Sequence, residues 1–469
     1  MTMKKTIVWF REDFRVSDNP ALFTAVANGE VLPVYINDIN TPTDFLPGAA
    51  SKVWLHHALN DLNNSLDGCL HVFSGNPLDI LTKLISTYKI TDVHWNRCYD
   101  KYQIARDIQI KKSLCNLGAN VTSFNGHLLW EPWEILKSDK TQYKVFTPYY
   151  RSGCLKAPSP RIPLGKPQNI IYINSKNSLQ VDNLDLLPKI RWDIKALEGW
   201  DVSENGAHKH LDEFLANKID QYKIGRDFPG TQLTSRLSPY LHFGQISVHT
   251  VWHKVKDLSL VSDEANRFMS ELGWREFSYY LLFHFPELYK TNWQSKFNNF
   301  PWRLNHKDLK AWQSGNTGIP IVDAGMRELW QTGFMHNRVR MIVASFLTKN
   351  LLIDWRRGAS WFLDTLFDAD IANNSGGWQW VAGCGADAQP YFRIFNPVTQ
   401  GEKFDPEGIY IKKYVPELKN LPLKYIYAPW LASNEILSKA GVVLGNNYPL
   451  PIVDLANSRN LALSLYKAL

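Results

Sequence analysis

The chain has 469 residues, 45% hydrophobic and 21% charged, which is ordinary for a soluble globular protein and long enough for two or three domains. No apolar run reaches the roughly 18 residues of a membrane span, and Met1–Thr6 runs straight into Ile7-Val8-Trp9-Phe10 and then charges, too short for a signal peptide, so a cytoplasmic location is expected. The net charge of +7 is spread along the chain, a weak pointer to a polyanionic partner, and Cys69, Cys98, Cys115, Cys154 and Cys384 form no C-x-x-C pair, which argues against a disulfide framework or a thiolate metal site.

The first 130 residues alternate strand and helix. Strands are expected over 6–10, 31–36, 70–74, 93–96 and 121–124, and helices over 19–28, 50–66, 77–88 and 102–117. Short apolar strands separated by helices predict an α/β domain: a doubly wound, five-stranded parallel sheet with helices on both faces. No G-x-G-x-x-G or Walker motif follows any of these strands. Residues 131–200 lose the rhythm, and Pro158, Pro160, Pro163 and Pro167 crowd one stretch, the mark of a connector. Beyond it the pattern is helical, with helices expected over 248–258, 263–285, 321–331 and 336–350. The expected division is 1–130, 131–200 and an all-α unit over 201–469. Eleven of the 18 tryptophans fall after residue 200, which raises stacking or electron transfer beside plain core filling.

Four stretches carry candidate chemistry. Thr234-Ser235-Arg236-Leu237-Ser238-Pro239 gathers hydroxyls before a helix start, with Ser238 as N-cap and Pro239 as first helical residue; this suits a phosphate, and equally a plain capped helix. Glu271 and Trp274 are i, i+3 on one helix face, where a carboxylate can bond a base edge while the indole stacks on it. Asn337 and Met341 are i, i+4, with Arg338 beside them, a combination that fits a flat polar ligand and a phosphate. Asp368 and Asp370 precede Asn373-Asn374-Ser375-Gly376-Gly377-Trp378-Gln379-Trp380; the further oxygen ligands of a calcium loop are missing, so no metal is expected. Each stretch also has a bland reading as amphipathic helix or core.

Together they match a known pattern. Trp9-Phe10-Arg11, Phe14-Arg15, Asp18-Asn19-Pro20-Ala21-Leu22, the stretch Thr234 to Ser238, Trp274-Arg275-Glu276-Phe277, Thr317-Gly318-Ile319-Pro320-Ile321-Val322-Asp323-Ala324, Met335-His336-Asn337-Arg338, the stretch Asn373 to Trp380 and Tyr391-Phe392-Arg393-Ile394-Phe395-Asn396-Pro397 resemble the photolyase/cryptochrome family, in order and over nearly the whole chain. Within it the resemblance is to class I cyclobutane pyrimidine dimer photolyases.

That resemblance implies an N-terminal antenna domain and a helical domain that binds FAD and DNA and carries out light-driven dimer repair by electron transfer from excited reduced FAD. The cofactor residues it implies are Tyr222, Thr234, Ser235, Arg236, Leu237 and Ser238 around the phosphates. Near the flavin ring they are Phe268, Arg340, Asp368, Ala369, Asp370 and Asn374. Asp368 would pair with Arg340, Asn374 would stand opposite flavin N5, and Phe268 replaces a Trp common among relatives. The lesion pocket would be Glu271, Trp274, Asn337, Met341 and Trp380. Relatives that repair (6-4) photoproducts carry His at the positions of Asn337 and Met341; the absence of an acid there fits ring opening by an electron alone. Arg226, Arg275, Arg338 and Arg393 would contact DNA, and Trp302, Trp355 and Trp378 would form the electron-transfer chain. The partner is UV-damaged DNA with its dimer flipped out, the protein is expected to be a monomer, and in a bacterium DNA binding would place it at the nucleoid.

The antenna chromophore stays open among a deazaflavin, methenyltetrahydrofolate and a flavin. Folate-binding relatives carry Asn-Glu where this chain has Tyr102-Gln103, and Gly48-Ala49-Ala50-Ser51-Lys52-Val53-Trp54-Leu55 looks more like deazaflavin binders. The alternative function is a cryptochrome-type blue-light photoreceptor. Such sensors often have long C-terminal extensions, whereas this chain ends at Leu469, and plant-type sensors have an acid at the position of Asn374.

Overall fold

β1 (Lys4–Phe10) is apolar and buried over its last five residues, and pairs in parallel with β2 (Gly29–Asp38) and β4 (Asp92–Asn96). With β3 (His71–Gly75) and β5 (Asn120–Phe124) the order is β3-β2-β1-β4-β5, all parallel. Helices α1 (Pro20–Asn28), α2 (Ala49–Ser65), α3 (Pro77–Tyr88) and α4 (Lys101–Asn116) connect the strands. Their starts follow local chemistry: Asn19, Asn76 and Asp100 each cap a helix through the side-chain oxygen. This is the doubly wound α/β arrangement expected. The computed structural model describes residues 3–174, 178–258, 262–388 and 392–469; Tyr391 of the closing motif lies outside them.

Two features depart from expectation. β2 begins at Gly29 rather than at residue 31, because the strands approach so closely there that a Cβ on Gly29 would lie 2.3 Å from the Lys4 carbonyl oxygen. The connector also returns to the sheet. β3 pairs β2 only from Val34 onward, leaving the first part of that edge open, and β6 (Ile171–Tyr172) fills it by pairing with Glu30 and Val31, which satisfies backbone groups that would otherwise be exposed.

The helical half contains the expected helices at Val248–Lys256, Asp263–His284 and Pro320–Thr332. The helix expected over 336–350 is α-helical only at Asn337–Ser345 and continues as a π-helical turn at Phe346–Asn350. One hydrophobic cluster runs from the sheet into this half, joining Phe14, Trp54 and Phe243. The seam is also polar: Trp54 Nε1 donates to Gln245 at 2.7 Å and Arg15 to the Gly244 carbonyl at 2.8 Å. Gly244 has φ +64°, and a Cβ there would sit 2.1 Å from the Glu12 carbonyl oxygen, so only glycine lets the halves close. A second cluster, wholly helical, holds Trp312, Trp355 and Trp378. Among the described residues no helix is long and apolar enough to cross a membrane.

Candidate active site

Arg340, on the helix Asn337–Ser345, anchors its Nε on the Met335 carbonyl at 2.8 Å and places Nη2 2.8 Å from Asp368 Oδ2. The Ser238 hydroxyl donates to the same oxygen at 2.6 Å. The other oxygen, Oδ1, is buried and has no partner among the described residues. A buried carboxylate oxygen left bare is costly, so the site is built for a ligand that donates a hydrogen bond, as the flavin ring's N–H does. Two residues on, Asp370 caps the helix Ile371–Ala382 by accepting from Asn373 N at 2.8 Å, and Ala369 packs half-buried against the helical core. Asn374 donates its side-chain amide to the Ala359 carbonyl at 3.0 Å. His242 was not singled out from sequence. It lies on the short helix Ser238–His242 that also carries Ser238, its Nδ1 is buried without a partner, and burial pulls its pKa down; a His four residues past Ser238 was the available signal.

The phosphate stretch folds differently in detail. Ser238 is the first helical residue rather than the N-cap, and Leu237 before it has α backbone angles, because the Ser238 hydroxyl is committed to Asp368. Leu237 is core, while Thr234, Ser235 and Arg236 are half-buried. Arg236 has φ +52°, a strained conformation for a side-chain-bearing residue and a frequent mark of a functional position. Its guanidinium lies over Trp200 at 4.0 Å, its Nε is buried and unpartnered, and burial lowers its pKa. Among the described residues it makes no ion pair, so this is a cation available to an anion. Tyr222 is buried edge-on to Phe268 at 5.2 Å, and Phe268 meets Phe214 at 4.7 Å. Phe268 thus completes a cluster of three rings.

On the outer side of this site, Trp274 stacks face to face on Phe146 at 3.8 Å and 11°, and Phe146 on Tyr150 at 5.5 Å and 9°. Gly273 makes room for this slab, since a Cβ there would lie 2.5 Å from the Tyr150 ring. Glu271 sits one turn from Trp274 between Arg226 and Arg267, the latter 3.0 Å away. Asn337 is exposed at the start of its helix, and Met341, one turn on, is half-buried, as is Trp380. The helix Ile371–Ala382 packs against both Asp263–His284 and Asn337–Ser345, so the three helices bearing these side chains adjoin.

Residues 6–167 match the family model described as DNA photolyase, and residues 268–468 the model described as FAD binding domain of DNA photolyase. A deoxyribodipyrimidine photo-lyase of Agrobacterium fabrum is 48% identical over 98% of this chain and 97% of its own length. The chain belongs to the photolyase/cryptochrome family. The crystal structure of a bacterial class III photolyase from Agrobacterium tumefaciens superposes with a TM-score of 0.96 at 48% identity, covering 100% of this chain and 98% of that one. Cryptochrome-2 of Arabidopsis thaliana is 38% identical over 98% of this chain and 78% of its own. The helical half is therefore a photolyase-type FAD-binding domain, and the bare Asp368 oxygen and unpaired Arg236 suit that cofactor.

Other residues singled out from this family resemblance are placed as follows. Trp378 stands one turn beyond Asn374, edge-on to Phe362 at 5.0 Å and to Trp312 at 6.1 Å; Gly358 lets it in, since a Cβ there would meet its ring at 2.1 Å. Trp355 is buried and donates to Asn292 at 2.8 Å. Trp302 is half-buried on Phe300 at 4.3 Å. Arg275 donates to the His127 carbonyl at 3.0 Å and pairs with Glu276 at 2.9 Å, its side chain 11% exposed. It braces the seam, where Glu276 also accepts from Leu129 N. Arg226 is spent on Glu271, and Arg338 pairs with Asp227 at 2.7 Å over the Phe404 ring; Arg393 is exposed. The stretch from Gly48, which looked like a deazaflavin site, docks α2 on the helix Trp355–Thr365: Ala49 N donates to Asp364 at 2.9 Å, and a Cβ on Gly48 would lie 2.2 Å from the Leu363 carbonyl oxygen. Tyr102 donates to Asp38 at 2.9 Å, and Gln103 to Glu12 at 3.2 Å.

Proposed function

We propose that this chain is a deoxyribodipyrimidine photolyase that uses light to split cyclobutane pyrimidine dimers in DNA. What supports the reading most is that Glu271 and Trp274 lie one turn apart on one helix and Asn337 and Met341 one turn apart on another, that both helices pack on the helix Ile371–Ala382 that bears Trp380, and that neither Asn337 nor Met341 is an acid. When bound, reduced FAD excited by light supplies one electron to the dimer, and the electron returns after the two C–C bonds joining the bases have broken, so the reaction has no net redox change. The chain's residues bind and orient. Glu271 and Asn337 bond the edges of the flipped-out bases, Trp274 and Trp380 wall them, and Met341 keeps a proton donor away. Arg340 with Asp368, together with Asp370, Asn374 and Ala369, holds the flavin ring. Tyr222, Phe268 and the segment 234–238 hold the rest of the cofactor, and Trp378, Trp355 and Trp302 carry electrons inward to reduce it beforehand.

Arg338 and Arg393 contact the DNA backbone, Arg226 joins them once Glu271 turns to the lesion, and the resulting affinity depends on salt rather than sequence. The protein acts as a monomer, with an antenna unit at 1–130, a connector at 131–200 and the catalytic unit at 201–469. The 48% identity to the bacterial class III photolyase of Agrobacterium tumefaciens favours that class over class I. With Gly48 packed against Leu363 and Tyr102-Gln103 in place of Asn-Glu, the antenna stays open among a deazaflavin, methenyltetrahydrofolate and a flavin. The test is a thymine dimer oligonucleotide incubated with the reduced protein in blue light and in darkness. Recovery of thymine absorbance in light alone supports repair. No recovery from protein that holds reduced FAD favours the sensor reading, for which the likeness to Cryptochrome-2 is the support.

A further inference from the structure

The helix that opens with Asn337 and Arg338 ends in the π-helical turn Phe346–Asn350, and π-helical turns inside helices are frequent at functional sites. That turn aims Lys349 into the protein, where only 3% of the residue is exposed. A buried ammonium is expensive unless something specific holds it, yet among the described residues no carboxylate pairs with Lys349. Its Nζ instead donates to the Arg393 carbonyl and lies 4.6 Å from the centre of the Phe392 ring. Four residues earlier, Ser345 Oγ accepts from Phe395 N at 3.3 Å. The same helix end therefore grips the segment 392–395 at three points, while the Arg393 side chain is exposed.

We propose that Lys349 is a positioning residue for DNA binding: it fixes the backbone of 392–395 so that Arg393 meets a phosphate in register with the lesion pocket at the other end of the same helix. This rests on the reading of the chain as a DNA-repair enzyme with Arg393 as a phosphate contact. Packing alone does not account for the arrangement, since a methionine would fill the space without burying a polar amine. The lysine supplies what methionine lacks, a donor for the one carbonyl that sets the direction of Arg393.

The test is a double-mutant cycle on the FAD-loaded protein with K349M, R393A and the pair, read as affinity for dimer-containing DNA against salt. R393A should weaken binding and reduce the slope of log affinity against log salt by about one. K349M should reproduce that loss, keep the flavin spectrum and the cleavage rate at saturating DNA, and add nothing in the R393A background. S345A, which loosens the same segment without removing a charge, should show the same non-additivity and stands in if K349M folds poorly. The proposal is overturned if R393A acts but K349M or S345A leaves affinity and slope unchanged, or if their losses multiply with that of R393A. If R393A itself changes nothing, the phosphate-contact reading fails first and takes this proposal with it.

Discussion

Arg340 lies 2.8 Å from Asp368, and the second oxygen of that buried carboxylate has no partner among the described residues. The pair thus satisfies one oxygen of the carboxylate, and the other is the one proposed to meet the cofactor. Removing either member strands the other. D368N should cost about 3 kcal/mol of stability, the low end for a broken buried pair because Arg340 is partly exposed. It should also lower the FAD content of purified protein. Thermal unfolding and the ratio of flavin to protein absorbance check both effects, and a variant with full FAD content would contradict the proposed role of Asp368.

Glu271 restrains Arg226 and Arg267, and in the proposed reading its oxygens face the lesion. E271A should lose about 1.5–3 kcal/mol of binding to dimer DNA, the range for a hydrogen bond to a charged group. The same change frees two arginines, so binding to undamaged DNA should strengthen. Competition between damaged and undamaged duplexes reads the two shifts separately; equal loss on both substrates would show that Glu271 does not face the lesion.

His336 caps the helix Asn337–Ser345 as a hydrogen-bond acceptor, taking Arg338 N at 3.2 Å, which requires a neutral ring. Burial, with help from Arg340, Arg338 and Arg226 and against Asp227, lowers its pKa to about 4. The folded pKa lies below the unfolded value of about 6.5, so the unfolded chain takes up the proton first. Stability from this group is complete above about 6.5 and falls as pH drops toward about 4, by up to about 3 kcal/mol. H336N keeps a cap and should flatten that limb in denaturant titrations across this range, whereas an unchanged limb would place its origin elsewhere.

Trp378 is the buried indole one turn beyond Asn374. W378F should slow light-driven reduction of oxidised FAD while leaving dimer cleavage by chemically reduced protein intact. Flavin absorbance under illumination with an external reductant measures the first, and single-turnover cleavage the second. Loss of both together would make Trp378 a structural residue only.

Most of the sheet was legible because strands such as β1 and β2 are apolar runs and several helix starts carry an Asn or Asp cap or a Pro, as at Asn19-Pro20 and Asn76-Pro77, although α2 begins after Gly48 with no side-chain cap. The candidate residues were legible through a whole-chain pattern; each stretch alone also read as ordinary helix. What stayed hidden depends on distant partners. Nothing near Arg275 reveals that the His127 carbonyl holds it, nothing near Ser238 that Asp368 claims its hydroxyl, and nothing near Gly48 that Leu363 crowds it. The π-helical turn that buries Lys349 shows no local signal either, since 336–350 keeps helical periodicity throughout.

The most direct measurement of the central claim is multiple turnover under anaerobic illumination, with a large excess of thymine-dimer DNA over fully reduced, FAD-loaded protein and the flavin spectrum followed throughout. Because the electron returns after each ring opening, many dimers should be reversed per flavin, only in light, with the flavin still reduced at the end. No reversal by protein that retains its reduced flavin, or reversal that stops after one dimer with the flavin oxidised, would contradict it.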